Sequence, residues 1–137
     1  MTEKKQTNKK IKILLAEDDK FISRAYTDGF TRYGYEVIAV TDGEEAIKQA
    51  KSEKPDIILL DLIMPIKNGF ETLEEIKANK NIKDIPVIIL SNLGQDTDIK
   101  KGRDLGAVDY LIKSDYSMSE IIKKINKCLD NSSNDIE

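Results

Sequence analysis

The chain has 137 residues, 34% charged and 39% apolar, which fits one soluble domain and leaves no room for two ordinary ones. It has no histidine and one cysteine, Cys128, which excludes Ser-His-Asp and Cys-His catalysis, histidine-ligated metals, an internal disulfide and a Cys-rich zinc site. The formal charge of −3 is uneven: residues 1–10 carry four Lys and one Glu, and the rest carries 18 basic and 24 acidic groups, a net −6 that argues against nucleic-acid binding by the domain itself.

The N-terminus reads Met-Thr-Glu-Lys-Lys with no apolar segment behind it, so no secretory signal is expected. Residues 1–9 read as a disordered basic tail. Ile11 to Leu15 then reads as a buried strand, and Asp19 to Tyr33 as a helix with Ile22, Ala25, Tyr26 and Phe30 on one side and Gly34 at its end. Tyr35 to Val40 is a second strand. Thr41-Asp42-Gly43-Glu44 forms a turn and cap, and Ala46, Ile47 and Ala50 mark the buried side of the next helix. Asp56 to Leu60 is a third strand, and Asn68 caps a helix that carries Phe70, Leu73 and Ile76 inward. Pro86 to Leu90 is a fourth strand. A weaker helix covers Thr97 to Leu105, with Gly102 in its middle and only Ile99 and Leu105 as strong apolar anchors. Val108 to Ile112 is a fifth strand. The last helix spans Ser119 to Leu129, with Ile121, Ile122, Ile125 and Cys128 on one side, and residues 131–137 read as a disordered polar tail. No apolar stretch approaches the length of a membrane span, so a cytoplasmic protein with no membrane association is expected.

Strands alternating with single helices imply an α/β fold, a parallel sheet covered on both faces. Five strands with right-handed crossovers suit the doubly wound order 2-1-3-4-5 with five helices. In such sheets the ligand sits at the carboxyl ends of the strands, where the order reverses between strands 1 and 3.

Four strands run straight into polar residues. The first leads to Glu17, Asp18 and Asp19, the third to Asp61, the fourth to Ser91 and the fifth to Lys113. Glu17, Asp18 and Asp61 should therefore form an acidic cluster with Ser91 and Lys113 beside it. Close carboxylates repel unless a cation sits among them, and oxygen ligands without His or Cys select Mg²⁺, with Mn²⁺ as an alternative. Such a set suits phosphoryl transfer, in which Asp61 is the natural nucleophile. Each residue alone has a plainer reading: Glu17, Asp18 and Asp19 as helix caps, Asp61 as a turn residue, Ser91 as a loop residue, Lys113 as a solvated lysine. The conjunction of types in this chain order favours the site.

At this point the residues resemble a family. Ile13-Leu14-Leu15-Ala16-Glu17-Asp18-Asp19, the block Asp61-Leu62-Ile63-Met64-Pro65 with Asn68-Gly69-Phe70, Pro86 to Ser91, and Gly106-Ala107-Val108-Asp109-Tyr110-Leu111-Ile112-Lys113 resemble the receiver domain of bacterial two-component response regulators. The resemblance covers residues 10–130 and implies a flavodoxin-like receiver fold. It implies Asp61 as phosphoacceptor and Asp18 as a direct Mg²⁺ ligand, with Glu17 acting through water and the Ile63 carbonyl as a further ligand. It also implies Ser91 as the switch hydroxyl, Lys113 as the phosphoryl partner, and Tyr110 as an aromatic switch that turns inward as Ser91 is drawn to the phosphoryl group. Asp19 reads as a helix cap. The implied protein is a stand-alone regulator rather than an enzyme. Its partners are a sensor histidine kinase or histidine phosphotransfer protein and a downstream protein target.

Three departures stand out. Receivers commonly follow the Lys with Pro, and here Lys113 precedes Ser114. Asn92 stands where a small residue is usual. Ile63 and Leu93 place apolar side chains where hydrolysis is commonly tuned, so the lifetime of an acyl phosphate should differ from the common pattern. A pseudo-receiver that works without phosphorylation is the alternative. A flavin or nucleotide binder is disfavoured because the first βα turn is acidic and lacks glycine.

Overall fold

The computed structural model describes the backbone of residues 10–136 and the side chains of residues 10–130. The elements in chain order are β1 (Lys12–Ala16), α1 (Lys20–Arg32), β2 (Glu36–Val40), α2 (Gly43–Glu53), β3 (Ile57–Leu60), α3 (Gly69–Ala78), β4 (Val87–Ser91), α4 (Asp96–Asp104), β5 (Asp109–Ile112), a 3₁₀ turn (Lys113–Asp115) and α5 (Met118–Ile136). The five strands pair in parallel in the order β2-β1-β3-β4-β5. This is the expected doubly wound arrangement.

Alternation along each strand divides the core in two. Leu14, Ile58, Leu60, Val87 and Ile89 face α2, α3 and α4. Ile13, Leu15, Ile57, Leu59, Ile88 and Leu90 face α1 and α5, where they meet Phe30, Ile121 and Ile125. Because both faces are covered, the central strands are continuous apolar runs.

The helices begin where short polar side chains can cap them. Asp19 accepts from the Phe21 and Ile22 amides at 2.9 and 3.0 Å. Asp42 accepts from Glu45 N–H at 2.8 Å. Asn68 and Glu71 form a reciprocal capping box at the start of α3. By contrast, the α4 cap position is Gln95, which makes no side-chain cap bond.

Several boundaries shift by one residue from the sequence expectation, and the end of the last helix shifts further. β5 starts at Asp109, and Val108 is exposed. α5 continues to Ile136 instead of giving way to an irregular tail at 131. Once a helix is nucleated each added residue gains a hydrogen bond, and no Gly or Pro interrupts residues 130–136. The basic tail expected over residues 1–9, and residue 137, lie outside the described residues.

Candidate functional site

The sheet register builds the site. Glu17 N–H donates to the Val40 carbonyl and Asp61 N–H to the Ala16 carbonyl, both at 3.0 Å, so each acid leaves the sheet as the residue after its strand. Glu17, Asp18 and Asp61 each offer a carboxylate oxygen, and these three atoms lie within 4.8 Å of one another. Glu17 and Asp61 are buried and Asp18 is exposed. Gly69 is required behind the site, because a Cβ there would collide with the Asp61 carbonyl and lie 2.6 Å from Leu62 Cα.

Lys113 joins the cluster from the end of β5. Its ammonium lies 2.9 Å from Asp61 Oδ2 and also binds Glu17 Oε1. The Asp61 side chain is only 8% exposed, so this contact is largely shielded from water. Burial alone would lower the Lys113 pKa, but the hydrogen bonds to Glu17 and Asp61 outweigh it and hold it above the ordinary value. Burial pushes the Glu17 carboxyl up, while Lys113 and the Asp19 amide act in the opposite sense. Three carboxylates against one ammonium leave an excess of two negative charges. A hard dication answers that excess, and the all-oxygen donor set fits Mg²⁺.

The remaining residues sit at the rim. Asp61 Oδ1 accepts from the Leu62 N–H at 2.7 Å and weakly from the Ile63 N–H at 3.5 Å, and the Ile63 side chain is exposed. Ser91 is buried at the end of β4, and its hydroxyl accepts from the Leu93 N–H at 3.3 Å. Tyr110 is already seated inward, 6% exposed, with its hydroxyl donating to the Leu93 carbonyl. The inward ring thus coexists with the Ser91–Leu93 contact in this structure. A Cβ on Gly102 would crowd the edge of this ring at 3.1 Å and the Ile89 tip at 2.5 Å. Leu93 thus binds both Ser91 and Tyr110 through its backbone, a contact that side-chain chemistry could not announce. Among the described residues no peptide bond is cis, the one after Lys113 included.

Comparison with known proteins agrees with this geometry. Residues 13–126 match the family model of the response regulator receiver domain. The alkaline phosphatase synthesis transcriptional regulatory protein PhoP of Bacillus subtilis (strain 168) is 35% identical over 118 residues, which cover 86% of this chain and 48% of that protein. The chain spans about half the length of the curated relatives it matches. A chemotaxis protein of Vibrio cholerae superposes with a TM-score of 0.81 at 25% identity, covering 87% of this chain and 98% of that one. The receiver domain of a sensor histidine kinase from Pseudomonas aeruginosa PAO1, solved with magnesium coordinated in its active-site cleft, superposes at 0.82 with 27% identity, covering 89% of this chain and 99% of that one. No helix among the described residues is long and apolar enough to cross a membrane. The chain therefore belongs to the response regulator receiver domain family of two-component signalling.

Proposed function

We propose that Asp61 accepts a phosphoryl group from a phosphohistidine on a sensor histidine kinase or histidine phosphotransfer protein, and that the product changes affinity for a downstream protein target. The observation that carries this reading is the Lys113 ammonium 2.9 Å from the Asp61 carboxylate, within a cluster shared with Glu17 and Asp18. An Asp61 oxygen attacks phosphorus, a P–O bond forms, the P–N bond to imidazole breaks, and the imidazole leaves with the electron pair. Lys113 keeps contact with the phosphoryl oxygens and offsets their charge. Asp18 and Asp61, the Ile63 carbonyl, and Glu17 through water would hold Mg²⁺, which supplies charge neutralisation when bound. Ser91 exchanges its contact with Leu93 for a phosphoryl oxygen. That exchange pulls on the segment to which Tyr110 is bonded, and so reaches the α4–β5–α5 face. The protein acts as a signalling phosphoacceptor that promotes only its own phosphorylation and dephosphorylation.

Beryllofluoride, which mimics a phosphoryl group on a carboxylate, tests this. With Mg²⁺ it should shift the amide resonances of residues 91–93, 110 and 113, and Asp61→Asn should abolish the response. A folded protein that shows no Mg²⁺-dependent response would favour the pseudo-receiver.

A further inference from the structure

The two polar departures from the common receiver pattern, Asn92 and Ser114, meet in space. β4 and β5 pair with Ser91 opposite Ile112, so Asn92 and Lys113 leave the sheet side by side. The next residue, Ser114, donates its backbone N–H to Asn92 Oδ1 at 3.2 Å. Both departures are needed for that bond. A proline at 114 would have no N–H, and an alanine at 92 would have no acceptor.

The position of the bond gives it consequence. Asn92 directly follows Ser91, and Ser114 directly follows Lys113, the two groups that flank Asp61 from β4 and β5. The Lys113–Asp115 turn is also closed by a long bond from Tyr116 N–H to the Lys113 carbonyl, 3.4 Å, and its first residue is anchored through its side chain on Glu17 and Asp61. The Asn92–Ser114 bond adds a direct tie between the backbone that follows Lys113 and the end of a buried strand.

We propose that Asn92 is a positioning residue. Its side chain clasps the backbone that carries Lys113 to the backbone that carries Ser91, so that both approach the phosphoryl oxygens as one unit. This rests on the reading of Asp61 as phosphoacceptor. Asn92 itself acts through the Ser114 amide. Preorganised donors bind developing charge without reorganising, and loss of the clasp returns that reorganisation to the binding step.

The test uses the full chain with beryllofluoride and Mg²⁺ as the probe. Asn92→Ala and Ser114→Pro should each weaken beryllofluoride binding by about threefold to tenfold, the effect of one solvent-facing hydrogen bond. The double variant should bind no more weakly than Ser114→Pro alone, since both changes remove the same bond. Ser114→Ala keeps the N–H and should bind like wild type. Amide exchange gives an independent readout: the Ser114 amide should be protected in wild type and in Ser114→Ala, and unprotected in Asn92→Ala. Wild-type affinity in Asn92→Ala, fully additive losses in the double variant, or an unprotected Ser114 amide in wild type would each overturn the clasp. A wild type that binds no beryllofluoride overturns the phosphoacceptor reading and this role with it. Binding that Asn92→Ala leaves intact overturns the role alone.

Discussion

Ile66 holds φ at 70° five residues after Asp61 and is 73% exposed. A β-branched side chain in the left-handed region is strained by roughly 1–2 kcal/mol, and an exposed one recovers little of that by burial. Ile66→Asn keeps the backbone with a residue that tolerates this region. We expect the variant to gain about 1 kcal/mol in denaturant unfolding; a loss would show that the isoleucine makes a compensating contact. Tyr35 supplies a second expectation. Burial pushes its phenol up to about 12, and its hydroxyl donates to Asn126. A folded pKa raised above the unfolded value near 10 stabilises the protein fully below about pH 10 and loses that contribution as pH rises toward 12. Unfolding midpoints measured across that window should fall less steeply for Tyr35→Phe than for wild type, and parallel curves would contradict the assignment. The four charged groups of the site were legible in the sequence because Glu17, Asp61 and Lys113 each directly follow an apolar strand and Asp18 comes one residue later. The orientation of Ser91 and the Asn92–Ser114 bond were not, because loop backbone geometry decides them.

α4 is a nine-residue helix in which Gly102 is the one buried residue. The sequence shows Gly102 only as a weak point, worth about 1 kcal/mol against alanine in an exposed helix. Packing gives it a different purpose. A Cβ at 102 would lie 2.5 Å from Ile89 Cδ1 and 3.1 Å from Tyr110 Cδ2, so the missing side chain leaves space that the Ile89 tip and the edge of the Tyr110 ring fill. Gly102→Ala should therefore deliver less than the full helix-propensity gain and should shift the Ile89 tip and the Tyr110 ring edge. Thermal unfolding together with the NMR environment of the Tyr110 ring reads both effects. A gain of about 1 kcal/mol with the ring environment unchanged would contradict this packing argument. The contact was illegible in the sequence because the residues that need the space lie on two neighbouring strands. The end of α5 was missed for another reason: its last turns are polar, and apolar periodicity carries no signal there.

In the whole molecule, two half-cores flank one sheet, and its parallel register delivers Glu17, Asp61, Ser91 and Lys113 to the same edge. The strand order was readable because buried parallel strands are uninterrupted apolar runs and the intervening helices carry a 3.6-residue period. The acidic cluster was also readable, since Glu17, Asp18 and Asp61 follow strands that lie side by side. What no apolar pattern conveys is how Lys113 divides itself between Glu17 and Asp61. The proposed phosphoacceptor role is a matter of covalent chemistry at one carboxylate. It is tested by treating the protein with acetyl phosphate and Mg²⁺, reducing with borohydride, and mapping the peptides. We expect the reduced product at Asp61 alone, only with both reagents present, and not in Asp61→Asn. A folded protein that stays unmodified at Asp61, or is modified at another carboxylate, would contradict it.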